Sequence, residues 1–221
     1  MPTFNAAPHL ARSLAPLVPA VADGLVRELI VSDGGSNDDT IAIAEGVGAR
    51  IVTGRRARGA QLIAGAAAAK ASWLLFLHAD TALADDWCAD AARFLAQPEN
   101  GMRAGAFRFA FDDSSFGAHV VTFWVAVRNR MLALPYGDQG LLISRAFYDS
   151  LGGYRDLPLM EDVDFVRRIG RARLLMLNAH AVTSAEKYRR DGFGKRSRRN
   201  LVLVARYFMG ANPSDLAKRY D

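Results

Sequence analysis

Apolar residues recur along this chain in two rhythms that take turns. Short, nearly continuous apolar runs at 26–32, 50–53, 73–78, 104–111, 140–144 and 173–177 have the length and composition of buried strands. Between them, apolar positions return at helical spacing over 38–45, 59–71, 84–96, 116–134, 145–151 and 160–169. Strands separated by helix-length segments need crossover connections, so the pattern predicts an α/β fold with a single, mostly parallel mixed sheet flanked by helices. The Ala-rich stretch 64–71 should pack closely on that sheet, because small side chains let backbones approach. From Phe193 two more helices follow, the second opened by Pro213 or Ser214. No apolar run stands ahead of Pro2, so the first strand is expected to be missing or short.

Composition narrows the class without changing the picture. The 221 residues suit one large domain, 1–221, which ends in basic helices at 193–221. Apolar residues make up 51% and charged residues 23%, which excludes disorder. A lone Cys88 forms no internal disulfide, and no signal peptide is visible, so a cytoplasmic location is expected. The uncharged stretch 114–127 is too short for a spanning helix, which needs roughly 20 residues, and reads as a buried helix. The net charge of +5 is unevenly placed: 187–199 carries seven Lys and Arg against Asp191 alone. Such a patch suits a diphosphate, an anionic membrane surface or solvent. Without interleaved aromatics over a wide face it does not suit nucleic acid.

Three constellations carry chemistry. In the first, a predicted strand ends at Asp33, a Gly34-Gly35 turn follows, and Ser36 with Asp39 reads as a capping box. Asp33 thus stands where open α/β sheets bind ligands, within reach of a base or ribose. Asp38 and Asp39 read as helix-dipole partners. The second is the apolar run ending in His78-Ala79-Asp80. Strand alternation would point both polar side chains to one face, where a carboxylate and an imidazole can hold Mn²⁺ or Mg²⁺ gripping a diphosphate. The third couples the loop Gly137-Asp138-Gln139-Gly140 to Glu161-Asp162-Val163-Asp164, where acids open a helix. Adjacent helix positions diverge by about 100°, so at most one of these three acids should face the site, the others being solvated or paired with Arg167 or Arg168. His9, His119 and His180 read as structural. No G-x-G-x-x-G, Walker A loop or G-x-S-x-G elbow is present.

On these residues the chain resembles the family 2 glycosyltransferases of the GT-A fold, and within them the bacterial selenodomain-associated or arsenosugar-biosynthesis subgroup. The likeness runs over nearly the whole chain. It rests on Pro2-Thr3-Phe4-Asn5, 32–40, 58–67, 76–81, Gly137-Asp138-Gln139-Gly140 and Leu157-Pro158-Leu159-Met160-Glu161-Asp162. Against the family pattern, Ala6 replaces an acid, Ile63 replaces an asparagine, and an apolar strand ahead of Pro2 is lacking.

The resemblance divides the chain ahead of the basic helices into a nucleotide-binding half at 1–100 and an acceptor/catalytic half at 101–192, and implies that Pro2, Thr3, Asn5 and Asp33, with Arg58, line the nucleotide pocket. It implies that His78 and Asp80 form the metal motif, that Gly137, Asp138, Gln139 and Glu161 frame the sugar or acceptor, and that Arg58 and Arg190 face the diphosphate. Asp162 becomes the general base of an inverting transfer from a UDP- or GDP-sugar to a small or lipid-linked hydroxyl acceptor. Two other readings compete. A sugar-phosphate nucleotidyltransferase would need a Gly-rich basic loop that is absent; a degenerate domain would bind nucleotide or a partner without turnover. The C-terminal helix, with Leu201, Val204 and Phe208 on one side and Arg198, Arg199 and Arg206 elsewhere, adds an expectation of peripheral contact with the inner membrane face.

Overall fold

The computed structural model describes residues 1–218. Eight strands alternate with helices: β1 (Pro2–Thr3), β2 (Ile30–Asp33), β3 (Arg50–Thr53), β4 (Trp73–Phe76), β5 (Thr81–Leu83), β6 (Ala104–Phe111), β7 (Leu141–Ser144) and β8 (Leu174–Thr183). The helices are α1 (Ala7–Leu14), α2 (Leu17–Ala22), α3 (Thr40–Gly46), α4 (Arg58–Ala68), α5 (Trp87–Leu95), α6 (Phe116–Leu132), α7 (Arg145–Ser150), α8 (Glu161–Ile169), α9 (Glu186–Asp191), α10 (Phe193–Phe208) and α11 (Pro213–Ala217). Residues 219–221, the end of the predicted basic segment, lie outside the described residues.

The α/β class holds, but the single sheet does not. The strands form two ladders, a parallel one in the order β1-β2-β3 and a mixed one in the order β4-β7-β6-β8-β5. Within the second, β6 and β8 run parallel while β4, β6 and β5 pair antiparallel with their other neighbours. The predicted strand 26–32 begins only at Ile30, because β1 is two residues long and leaves the start of that run without a partner on one side. Likewise the strand predicted to reach His78 stops at Phe76, and a turn carries His78 and Asp80.

Apolar burial cuts across this division, since both core clusters draw residues from the mixed ladder. One core cluster joins Leu62 and Ala66 of α4 to Leu74 and Phe76 of β4, and continues through Tyr154, Phe165 and Ile169. A second joins Leu10, Leu14 and Leu17 to Trp87, Phe107 and Leu177. Helices α1 and α2 are absent from the sequence prediction, since Pro8, Pro16 and Pro19 interrupt the run. They form because Leu10, Leu14 and Leu17 share one face and are buried to 4% or less. The loop after β2 supplies α1 with caps from a distance: Ala6 N donates to Thr40 Oγ1 at 2.7 Å and Ala7 N to Asp38 Oδ2 at 3.1 Å. Ser36 caps nothing in α3, which starts at Thr40; the predicted capping box does not form.

Two surface expectations also change. Helix α6 is not a buried helix: Phe116, Phe123, Trp124 and Met131 are 84, 61, 62 and 63% exposed, while only Ala118 and Asn129 are buried. His119, expected in a core, is exposed with Nδ1 2.9 Å from Ser115 O. Helix α10 turns Leu203 and Val204 inward and leaves Leu201 and Phe208 exposed, so the predicted 201-204-208 face is split between core and solvent. Among the described residues no helix is long and apolar enough to cross a membrane.

Candidate active site

The loop between β2 and α3 closes on one carboxylate. Asp33 Oδ1 accepts from Thr3 Oγ1 at 2.8 Å and Ser36 Oγ at 2.6 Å; Oδ2 accepts from Gly35 N at 2.8 Å and Ser36 N at 2.7 Å. A carboxylate offers about four acceptor sites, and here all four are used. Burial raises the Asp33 pKa, but these donors outweigh it and hold the group below its ordinary value. Asn5, at φ +47°, joins the same knot: its N donates to Ser36 Oγ at 2.8 Å and its Oδ1 accepts from Asn37 N at 3.0 Å. Pro2 pairs with Ser32 in the ladder, and the Arg56 guanidinium lies 3.7 Å from the Phe4 ring centroid. Asp33 therefore builds the loop that Thr3, Asn5 and Ser36 present, rather than offering a free acceptor to a ribose.

Helix α4 links this loop to the second half of the site. Gln61 Nε2 donates to Thr3 O at 2.6 Å and Ser32 O at 2.8 Å. One turn earlier, Arg58 Nη1 stands 3.4 Å from Glu161 Oε1. Gln61 was not among the sequence candidates, although a polar residue on an Ala- and Leu-rich helical face is a visible signal.

Around Arg58 the remaining predicted residues converge. Asp162 Oδ2 accepts from Gly137 N at 2.7 Å, which ties α8 to the short turn Gly137–Gln139. A Cβ on Gly137 would lie 2.4 Å from His78 Nε2 and 3.4 Å from Asp162 Oδ2, so only glycine lets these three groups meet. Asp80 receives Lys187 Nζ at 3.6 Å from α9. Glu161 and Asp162 both reach the site, against the expectation that only one could. They are the first two residues of α8, after Met160 in the left-handed region at φ +67°, and so splay from the helix end. Asp164 turns away to Arg155 and Arg168 as helical spacing predicts.

Two predicted residues lie outside this group. Gln139 is fully buried, with Oε1 accepting from Arg128 and Asn129 and Nε2 donating to Phe107 O. It anchors the turn to the core. Arg190 pairs with Asp191 on the surface at 2.8 Å, while Lys187, three residues earlier and read only as part of a basic run, makes the contact to Asp80.

The electrostatics of the cluster are unbalanced. Burial first, then the Arg58 charge, pushes the His78 pKa down to about 4, leaving a neutral imidazole able to donate a lone pair. Burial pushes Asp138 and Glu161 up, each to about 7. Burial also acts on Asp80, but His78, Lys187 and Arg58 outweigh it and keep the carboxyl below its ordinary value. Asp138 Oδ1 and Glu161 Oε2 are buried without a hydrogen-bond partner. Among the described residues no three His, Cys, Asp or Glu side chains form a ready metal cage. His78 and Asp80 supply two donors beside an excess of carboxylate, which fits a divalent cation whose other ligands come from a bound phosphate or water.

Comparison with known proteins accords with this geometry. The sequence profile of glycosyl transferase family 2 matches residues 1–151. No curated protein sequence matches the chain. Among solved structures, glucosyl-3-phosphoglycerate synthase from Mycobacterium tuberculosis in complex with Mn²⁺ and UDP-glucose superposes with a TM-score of 0.59 at 20% identity, over 82% of this chain and 68% of that one. The same enzyme with phosphoglyceric acid gives 0.55 at 25% identity, over 81% and 68%. A complex with Mn²⁺, UDP and glucosyl-3-phosphoglycerate gives 0.55 at 22%, over 81% and 68%. The likeness extends to the α/β architecture of those transferases, with a parallel ladder beside a curled mixed one.

Proposed function

The chain belongs to glycosyl transferase family 2, and from that premise we propose that it transfers a sugar from a nucleoside-diphosphate sugar to a hydroxyl acceptor with inversion at the anomeric carbon. The observation that carries this reading is the meeting of His78, Gly137 and Asp162, with the Asp80 charge acting on His78 and with buried, unpartnered oxygens on Asp138 and Glu161. So many carboxylates beside Arg58 and Lys187 make sense where a cation and a diphosphate complete the charge balance.

In this reading the loop of Thr3, Asn5 and Ser36, held rigid by Asp33, receives the base and ribose. His78 and Asp80 hold the divalent cation, Mn²⁺ suiting the imidazole better than Mg²⁺. The cation neutralises charge that builds on the departing diphosphate. Arg58 and Lys187 lie on the same side and add fixed positive charge. Asp162, oriented through Gly137 N, accepts the acceptor's hydroxyl proton as its oxygen attacks the anomeric carbon. The bond to the diphosphate oxygen breaks on the opposite face, through an oxocarbenium-like transition state. Asp138 and Glu161, protonated below about pH 7, border the sugar as hydrogen-bond donors. The solved neighbours bind UDP-glucose and phosphoglyceric acid, which supports a UDP-sugar donor and a small acceptor over a lipid-linked one.

Calorimetric titration of UDP and GDP, with Mn²⁺ and with EDTA, tests the reading. Binding of one nucleotide that needs Mn²⁺ and is lost in Asp80→Ala is the expected result. Binding indifferent to metal and to Asp80→Ala would remove the cation from the mechanism. No binding under any condition would leave a domain without donor recognition and defeat the proposal.

A further inference from the structure

Helix α6 carries apolar side chains on two opposite faces. Its inner face, with Ala118, Val121 and Val125, packs with Phe109 and Phe111 of β6 and Phe193 of α10. Its outer stripe runs Phe116, Val120, Phe123 with Trp124, Val127 and Met131, at three- and four-residue spacings. At about 100° per residue these six fall within an arc of about 100°, and no other residue of α6 falls there. Among the described residues the stripe stays bare: Val120 is 38% exposed, and Phe116, Phe123, Trp124 and Met131 are more exposed still.

We propose that the outer stripe is a self-association surface, on which a second copy of the chain packs its own α6 antiparallel about a two-fold axis between Phe123 and Trp124. The order of residues along the stripe points to that occupant. Turned end for end about this midpoint, the stripe falls on itself. Phe116 meets the second copy's Met131, Val120 its Val127, and Phe123 its Trp124. A two-fold contact of this kind makes each such pair twice. The spacing is that of a coiled-coil seam, whose shallow crossing keeps two helices together over the ~24 Å from Phe116 to Met131. The area agrees as well. Large apolar and aromatic side chains bury about 150–250 Å² each, so the stripe presents on the order of 600 Å², against the roughly 800 Å² that each partner of a standard interface buries. Phe123 and Trp124 already stand edge to face, with ring centroids 5.7 Å apart. The axis brings two such pairs together at the centre, where aromatic anchors contribute most. A lipid surface fits less well. Interfacial helices carry Lys and Arg beside the apolar face. On α6, Arg128 turns inward to Gln139 and Tyr136, which leaves Arg130 as its one exposed Lys or Arg. No charge lies within the arc to oppose a second copy.

Sedimentation velocity from about 1 to 100 µM, a range that interfaces of this size reach, tests the proposal. The chain should sediment as a dimer at the upper end. Trp124→Glu, which sets a charge at the apolar centre of both copies, should raise the dimer Kd at least tenfold. The position is exposed, so the melting temperature of the dilute variant should stay within about 3 °C of the parent. A monomer at every concentration, or a dimer indifferent to Trp124→Glu, would overturn the proposal. A monomer that pellets with phosphatidylglycerol vesicles through Trp124 would overturn it too, and give the face to a membrane. Cysteine crosslinking in a Cys88→Ser background tests the register without touching the centre. Mixed Val120→Cys and Val127→Cys chains should join on mild oxidation, because antiparallel pairing sets these positions opposite each other. Val120→Cys alone should not, since its two copies stand about 10 Å apart along the helices, beyond the ~7 Å that a disulfide spans. Self-crosslinking of Val120→Cys without the mixed product, or no crosslink at all, would refute the two-fold.

Discussion

Asp33 and Asp138 are both candidate-site carboxylates with buried oxygens, and they are held in opposite ways. Asp33 has four donors on its two oxygens and a pKa below the ordinary range. Asp138 has a buried Oδ1 with no donor and a pKa pushed by burial to about 7; Glu161 is likewise raised to about 7 and leaves Oε2 without a partner, although its Oε1 meets Arg58. The first arrangement is complete without a ligand and acts as structure. The second is costly without one, since a buried polar atom without a partner loses on the order of 1–3 kcal/mol. Unfinished electrostatics at the acid cluster, beside finished electrostatics at the loop, separates the part to which we assign the proposed reaction from the part that shapes the loop.

The strongest way to break this comparison is at Asp162. If the acid cluster performs the chemistry, Asp162→Asn removes the proton acceptor and lowers kcat by about 10²–10⁴-fold. It should leave nucleotide affinity within a few-fold, because the change is nearly isosteric and its contact to Gly137 N survives through the amide oxygen. Transfer assayed with radiolabelled UDP-sugar, together with UDP titration, separates these outcomes. A loss of affinity with kcat intact would place Asp162 in binding and overturn the assignment.

The next effect is one of sign. Asp33→Asn puts an amide where four donors converge, leaving at least one of them unmatched, and should lower the melting temperature by about 4–8 °C. Asp138→Asn deletes a buried charge with an unpartnered oxygen and should raise it by about 2–4 °C at pH 8 without metal. The pH dependence follows. Asp138 and Glu161 titrate near 7 in the fold against ordinary values of 3.8 and 4.5, so the folded state binds protons more tightly. Their contribution is full below about pH 4 and is lost as pH rises through 7. The depressed Asp33 works in reverse, contributing above about pH 4 and failing as acid protonates it. Metal-free melting temperatures should fall between pH 4.5 and 7.5, and Asp138→Asn should shrink that fall. A flat profile, or the same sign for both substitutions, would refute the contrast.

Much of this was legible from residue order, for identifiable reasons. Strands β3 and β6 match their predicted bounds because apolar runs end in polar or turn residues at both sides. Strand β8 runs six residues past its predicted end, since Asn178 and His180 break the apolar run while pointing to the exposed face of a half-buried strand. The site motifs were visible as acids and glycines at element ends, and the structure brings His78, Gly137 and Asp162 together while leaving Gln139 and Arg190 apart. What could not be read is how acceptor capacity is spent. Asp33 and Asp138 follow similar strand-end and glycine-loop patterns, and only the donors around them set one apart from the other. The division of the strands into two ladders was not legible, because strand pairing is set by tertiary packing.

The smallest effect sharpens the comparison within the basic run that sequence treats as uniform. Lys187 and Arg190 sit three apart on α9, but Lys187 Nζ stands 3.6 Å from Asp80 while Arg190 is occupied by Asp191. Asp80 would hold the cation, and Lys187 beside it would add positive charge for a diphosphate bound there. An exposed pair such as Arg190–Asp191 contributes little wherever it lies. Lys187→Ala should therefore weaken metal-dependent nucleotide binding about five- to tenfold, equivalent to ~1–1.4 kcal/mol, and more at low salt than at high. Arg190→Ala should change it by less than about twofold, and the two Kd values measured side by side decide the matter. If Arg190 carries the larger effect, α9 must rotate when nucleotide binds, and the resting contact between Lys187 and Asp80 is a latch that binding releases. If both are silent, the diphosphate is held from the α4 side, by Arg58 and the cation, and α9 serves to position Asp80 alone.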